Sequence, residues 1–157
     1  MQLTPAQCAG RLAAADHGVL CTSSGDGVDA VPVCFAVVHD GPSTVLASPI
    51  DRVKPKGTVA LQRLANLERD PRATVLCEHW DREDWSQLWW VRAHLRLRSE
   101  PEPEPQPGAA SRLLEECATA LRDKYAQYRA TEFARVLVFD VERLVGWAAS
   151  TAAPEPD

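Results

Sequence analysis

Residues 28–40 read VDAVPVCFAVVHD, and this valine-rich run decides the fold class. Branched and aromatic side chains favour extended backbone, so the run predicts a long strand. The sequences SGDG (24–27) and DGPS (40–43) on either side have the composition of tight turns. Pro32 interrupts the strand. Because proline cannot donate to a sheet ladder, it marks an edge, a bulge or a position bonded to something other than a strand.

Further strands and helices are predicted outward from this run. Thr4 and Pro5 suit an N-cap and a first helical position, which predicts a helix to about Ala15. Strand patterns recur at 18–23, 44–48, 73–80, 88–98 and 134–147, and amphipathic helix patterns occupy 59–67 and 111–125. Short turns between consecutive strands make antiparallel pairs. We therefore expect a mainly β (α+β) fold, a six-stranded, closed or partly closed antiparallel barrel with flanking helices.

The chain of 157 residues is long enough for one domain with a substantial core. We expect that domain to span 1–150. The segment SEPEPEPQPG (99–108), rich in proline and glutamate, predicts an extended linker inside it, and 151–157 a frayed tail.

Composition limits the partners and the compartment. No apolar run approaches the roughly 20 residues of a membrane-spanning helix. The net charge of −5 argues against nucleic acid and anionic membranes. The N-terminal sequence MQLTPAQCAG lacks the pattern of a signal peptide, and five widely spaced cysteines without a CxxC pair fit reduced thiols. We therefore expect a cytoplasmic protein.

Basic residues concentrate in one segment. Residues 52–72 hold six basic and two acidic side chains, a local charge of +4, which leaves −9 for the rest of the chain. Lys54 and Lys56 stand just before a predicted helix start, where free N–H groups and the helix dipole favour an anion. A phosphate site is one interpretation, and a solvated basic face is the other. The candidate phosphate ligands are Lys54, Lys56, Thr58, Arg63 and Asn66.

Four of the five tryptophans lie between residues 80 and 90, around the acidic loop 81–84. On a strand, Trp89 and Trp90 point to opposite faces, so one would pack inside while the other covers a ring-shaped ligand or a partner subunit. Arg92 shares the face of Trp90. His79 and the loop carboxylates lack a second histidine, and neither GxSxG nor HExxH occurs, so we assign no metal site and no hydrolase chemistry.

Five stretches carry a resemblance to a known family. They are VDAVPVCFAV (28–37), DRVKPKGTVALQRLANLERDPRATVL (51–76), DWSQLWWVR (84–92), DKYAQYR (123–129) and VGW (145–147). With the element order, they resemble the split β-barrel flavin- and deazaflavin-binding proteins related to pyridoxamine 5′-phosphate oxidase. Within that group the chain is similar to the actinobacterial branch of F420-dependent oxidoreductases.

The resemblance implies a homodimer of six-stranded split barrels with two cofactor sites in the cleft between subunits. The second and third strands would lie beside the tricyclic ring, through Val31, Pro32, Val33, Cys34, Ala47, Ser48 and Pro49. The phosphate would be held by Lys54, Lys56, Thr58, Arg63 and Asn66. The site would be closed, from the other protomer, by Trp89, Trp90 and Arg92.

The resemblance also implies a reaction. It predicts an oxidoreductase that uses coenzyme F420 to transfer a hydride to an electron-poor small molecule, such as an enone or a quinone. The alternatives are an FMN-dependent enzyme of the same fold and a non-catalytic binder of a flavin, a deazaflavin or haem. No side chain stands out as a catalytic acid, so solvent would supply the proton. The sequence ERLVGWAAS (142–150) replaces the Arg-Leu-Ser/Ala-Pro pattern of true pyridoxamine-phosphate oxidases, which argues against vitamin B6 synthesis.

Overall fold

The computed structural model describes residues 1–51, 61–99 and 108–150, with Asp51 described by its backbone alone. The helices are α1 (Pro5–Ala14), α2 (Gln62–Arg69) and α3 (Ala109–Lys124), with short 3-10 helices at Trp85–Gln87 and Ala126–Tyr128. The strands are β1 (Gly18–Ser23), β2 (Val28–Val33), β3 (Ala36–Asp40), β4 (Ser43–Asp51), β5 (Arg72–His79), β6 (Trp89–Leu97) and β7 (Phe133–Ala148). Most of the predicted linker and all of the predicted tail lie outside the described residues. Within the described ranges, no helix is both long and apolar enough to cross a lipid bilayer.

The described strands form one antiparallel sheet in the order β2-β1-β5-β6-β7-β4-β3. The expectation of six strands was wrong, because the run 28–40 divides into β2 and β3 with a break at Cys34 and Phe35. The sheet is also not closed, since β2 and β3 form its two edges. Pro32 pairs with Val19 on the edge strand β2, one of the places where a sheet tolerates proline.

The inner face of the sheet holds the main core, which α1 and α2 complete. Leu20, Val75, Val91 and Phe139 are at most 1% exposed and belong to one apolar cluster. Helix α1 begins as predicted, because Thr4 forms a reciprocal capping box with Gln7 and proline follows at the first turn. Burial of this cluster is the main stabilising contribution to the fold.

Helix α3 packs on the outer face of β3, β4 and the first half of β7. Its buried residues are Leu113, Cys117 and Leu121, spaced four apart as the sequence predicts. They join Ala47, Val45 and others in a second apolar cluster. The outer face of the sheet at β3, β4 and the first half of β7 is therefore covered by this helix.

The outer face of β1, β5, β6 and the second half of β7 is different. The register sets Val19, Leu76, Arg92 and Val145 side by side across these four strands. The described helices pack elsewhere, α1 and α2 in the first apolar cluster and α3 in the second. We call this surface the open face; Val19, Leu76 and Val145, the apolar side chains of this row, are only half-buried in the single chain.

Candidate functional site

The break between β2 and β3 is held by side chains. The hydroxyl of Ser48 donates to the carbonyl of Cys34 at 2.9 Å. The N–H of Phe35 donates to the hydroxyl of Tyr125 at 3.0 Å. That hydroxyl has two acceptors for its own proton, the carbonyls of Phe35 at 2.8 Å and Asp16 at 2.7 Å. These bonds replace the ladder bonds that an uninterrupted strand would make.

Lys124 ties the end of α1 to the same place. Its Nζ donates to the carbonyl of Ala15 at 2.6 Å and lies 4.5 Å from the centre of the Phe35 ring. Desolvation lowers the pKa of the Lys124 ammonium, with the Asp16 carboxylate opposing the shift. Burial raises the pKa of Tyr125 to about 12, so its hydroxyl keeps its proton at neutral pH. The break thus joins the ends of two helices to the sheet.

The seven residues predicted to lie beside a cofactor ring belong to β2, the break and β4. The hydrogen bond from Ser48 to the carbonyl of Cys34 joins the predicted residues of β4 to those of the break. Pro32 is exposed, whereas Ala47 is covered in the second apolar cluster under α3. The remaining members are buried or half-buried, namely Val31, Val33, Cys34, Ser48 and Pro49. The accessible part of this region is therefore the edge of β2.

Trp89 and Trp90 point to opposite faces, as predicted. Trp89 packs against the main core, with the Arg11 guanidinium 5.6 Å from its ring centre and the His79 ring stacked at 6.4 Å. Trp90 lies on the open face, where the Arg92 guanidinium is 4.9 Å from its ring centre. Strands β1 and β5 separate β6 from β2, so one chain does not bring Trp90 and Arg92 to the break.

The predicted phosphate ligands fall into two groups. Lys54, Lys56 and Thr58 lie outside the described residues. Arg63 and Asn66 lie on α2, as expected, and Arg63 is half-buried. Asn66, however, is fully buried and is directed into the protein.

The buried amide of Asn66 has partners for each of its polar atoms. Its Nδ2 donates to Thr22 Oγ1 at 3.0 Å and to Asp29 Oδ2 at 2.7 Å. Its Oδ1 accepts from Gln62 Nε2 at 3.1 Å and from an Arg69 Nη at 2.9 Å. The two bonds that Nδ2 donates attach α2 to the hairpin of β1 and β2. The sequence signal for this role is weak, because the partners in the hairpin precede Asn66 by 37 and 44 positions.

A shallow cavity of about 340 Å³ lies on the open face. Cys21, Thr74 and His94 stand side by side across β1, β5 and β6 in its lining. Arg72 borders it and donates to Asp70, a bond that lowers the pKa of that carboxyl to about 2. In the described part of the chain, no three histidine, cysteine or acidic side chains come together as a metal site would need.

A second cavity of about 380 Å³ lies between α3 and the beginning of β7. Leu113, Leu114 and Val136 give it apolar walls, and Arg98 lies at its margin. The Arg98 guanidinium forms salt bridges with Asp40 at 2.9 Å and with Asp140 at 2.6 Å. Among the predicted cofactor residues that the structure describes, none lines this cavity.

No model of a protein family matches the sequence, and no curated protein is significantly similar to it. Solved structures do match. A FAD-binding protein from Mesorhizobium loti has a TM-score of 0.62 at 16% identity, covering 93% of each chain. A conserved protein from Mycobacterium tuberculosis has a TM-score of 0.62 at 18% identity, covering 94% of this chain and 86% of its own. An FMN-binding protein from Syntrophomonas wolfei has a TM-score of 0.56 at 12% identity, covering 87% of this chain and 79% of its own. At these identities the likeness shows the fold alone: the chain shares the fold of these three proteins, two of which are described as binding FAD or FMN.

Proposed function

We propose that this protein is an oxidoreductase that holds a flavin or deazaflavin cofactor beside the break between β2 and β3. One observation carries the proposal. The run 28–40 has the composition of one strand, yet the strand stops at Cys34, and the backbone there is hydrogen-bonded by the side chains of Ser48 and Tyr125 instead of by a neighbouring strand. The residues before the break are those that the sequence resemblance sets beside a tricyclic ring. A fold shared with FAD- and FMN-binding proteins supports the same conclusion.

The residues at the break suit a flat, polar-edged ring. Pro32 is exposed on β2, and the outer edge of this strand pairs with no described strand. When bound in reduced form, such a cofactor supplies a hydride to an electron-poor alkene or quinone, while solvent supplies the balancing proton. The chain contributes orientation through the backbone at Cys34, which Ser48 holds in place. Lys54 and Lys56 would anchor the phosphate.

FMN is the first candidate cofactor, because proteins of this fold bind FMN or FAD. Coenzyme F420 is the second, since the basic segment at 52–72 and the sequence DWSQLWWVR (84–92) resemble its actinobacterial users. Both have a tricyclic ring and a phosphate. The segment 52–72, with its charge of +4, serves either one.

A homodimer would complete the site. Val19, Leu76 and Val145 are half-buried on the open face. On the same face, two residues along the strands, Trp90 pairs with Trp147. A second copy packed on this face would bury them and would bring another set of Trp90 and Arg92 to the cleft. Aromatic residues and arginine are enriched in such interfaces.

Titration of the purified protein with FMN, FAD and coenzyme F420 tests the proposal, with tryptophan quenching as the signal. We expect micromolar binding of FMN or F420. The double charge reversal Lys54→Glu with Lys56→Glu should weaken it more than tenfold, because charged hydrogen bonds to phosphate contribute about 1.5–3 kcal/mol each. The matched control is Arg82→Glu with Arg129→Glu, two exposed positions with the same change of charge.

Binding of none of the three cofactors by the parent protein would refute the proposal. Turnover separates an enzyme from a binder. The reduced complex is mixed with an enone and with a quinone, and reoxidation of the cofactor is followed by absorbance. Cofactor binding without reoxidation by either substrate would favour a non-catalytic flavin- or deazaflavin-binding protein.

A further inference from the structure

The peptide groups at the break depend on one distant side chain. Phe35 directly precedes β3. The nitrogen and the oxygen of its backbone lie 3.0 and 2.8 Å from the Tyr125 hydroxyl, within hydrogen-bond distance. Tyr125 is 90 positions later in the chain. Since a hydroxyl has one proton to donate and lone pairs to accept with, this group can satisfy the Phe35 N–H and one carbonyl at a time.

The position of this hydroxyl is fixed by the end of α3. Tyr125 is the C-cap residue of the helix, and its N–H donates to the carbonyl of Leu121. Its ring packs edge-to-face on Tyr128 at 5.5 Å, and the Lys124 ammonium lies 5.4 Å from its centre. The hydroxyl therefore reaches the break from a rigid support, which is what precise placement of a backbone requires.

The second acceptor of the hydroxyl extends the connection. The carbonyl of Asp16, just after α1, lies 2.7 Å from it, and Lys124 donates to the adjoining carbonyl of Ala15. Lys124, the last residue of α3, and its C-cap Tyr125 thus hold both the break and the end of α1. A role confined to core packing needs only the ring of Tyr125, whereas this geometry uses its oxygen.

We propose that Tyr125 is a positioning residue for the cofactor: its hydroxyl sets the direction in which the ring-side segment 31–34 approaches the ligand, without touching the ligand itself. This inference rests on the proposed function. Ser48 has the complementary task on the other side of the break, where it bonds the carbonyl of Cys34. Loss of either hydroxyl leaves the fold in place and displaces the segment.

The variant Tyr125→Phe removes the oxygen and keeps the ring. We expect it to fold, to expose the Phe35 amide to faster hydrogen exchange, and to bind FMN or coenzyme F420 about tenfold more weakly, because the displaced segment 31–34 would form about one hydrogen bond fewer with the ligand. Ser48→Ala should weaken binding in the same direction. Tyr128→Phe is the matched control: it removes the hydroxyl of the only other tyrosine and leaves the bonds at Phe35 intact.

The readouts separate positioning from general stability. Each variant is measured for cofactor affinity, for the midpoint of urea unfolding, and for hydrogen exchange at Phe35. The proposal is supported if Tyr125→Phe binds the cofactor more weakly under conditions in which its urea midpoint shows it to be fully folded, and if Tyr128→Phe keeps the parental affinity. Parental affinity in Tyr125→Phe overturns it while leaving the proposed function intact. Failure of the parent to bind any of the cofactors overturns both.

Discussion

Replacement of Asn66 by alanine tests whether this residue holds the fold or a ligand. Its side chain is fully buried. Its Nδ2 donates to Asp29 at 2.7 Å and to Thr22 at 3.0 Å, and its Oδ1 accepts from Gln62 and Arg69. All four contacts disappear in Asn66→Ala, and α2 loses its polar attachment to the first hairpin.

The two donated bonds determine the magnitude. A hydrogen bond to an ionised carboxylate contributes about 1.5–3 kcal/mol, and one to a neutral hydroxyl contributes about 1 kcal/mol. Gln62 and Arg69 are exposed, so water replaces their bonds and we assign them no net value. The free energy of unfolding should therefore fall by about 3 kcal/mol. With a dependence on urea of about 2 kcal/mol per molar, the midpoint moves down by about 1.5 M.

Urea unfolding followed by tryptophan fluorescence measures this shift. The control variant Gln62→Ala removes one exposed partner and should change the free energy by less than about 0.5 kcal/mol. Asn66→Asp is a second test of the same bond. It replaces the N–H that donates to Asp29 by a carboxylate oxygen, so at neutral pH it should lower the free energy of unfolding more than Asn66→Ala does.

A midpoint of Asn66→Ala within about 0.3 M of the parent would contradict this prediction and would show that the buried network contributes little to the attachment of α2.

Three further outcomes follow from other parts of the molecule. Leu76→Asp, on the open face, should turn a dimer into a monomer in analytical ultracentrifugation because it places a charge in the proposed interface; a monomeric parent would contradict the dimer. Gly146→Ala should destabilise by about 1–3 kcal/mol, since the new Cβ would lie 2.9 Å from a backbone carbonyl, whereas Gly10→Ala, whose Cβ meets nothing within 4 Å, should stabilise by about 0.5–1 kcal/mol. Equal melting temperatures for the two glycine variants would contradict this prediction. Burial raises the pKa of Cys77 and Cys117 to about 11 from the ordinary 9.0, so between pH 9 and 11 the unfolded chain releases protons that the folded chain keeps, and stability should fall as pH rises. A Cys117→Ala profile that falls as steeply as the parent profile would argue against this thiol as a cause.

Local chemistry in the sequence was enough to predict the first helix and the faces of the tryptophans. Thr4 and Pro5 form a helix start that depends only on neighbouring residues, and it is confirmed. The alternation of Trp89 and Trp90 follows from strand geometry alone, and their separate contacts with the core and with Arg92 confirm it.

The break at Cys34 and Phe35 could not be predicted from the same chemistry. The run 28–40 has the composition of one strand, and Pro32, its only visible interruption, lies inside β2. The strand ends where bonds from Ser48 and Tyr125 become available, and these partners are 14 and 90 positions away. Similarly, the helical spacing of Arg63 and Asn66 gives no sign that Asn66 turns towards Asp29 in an earlier strand.

The order of the strands has a consequence for how the chain is completed during synthesis. Strand β7 lies between β6 and β4, and it pairs with both. Before residues 133–148 are made, the strands that the structure describes can form two separate pieces, β2-β1-β5-β6 and the β3-β4 hairpin. Both pieces then present an unpaired edge to other nascent chains. Because translation adds about 5–20 residues per second, synthesis of the stretch from the end of β6 at Leu97 to the end of β7 at Ala148 takes about 3–10 s, long enough for premature association to compete with folding. The last strand therefore ends the exposure of both edges at once.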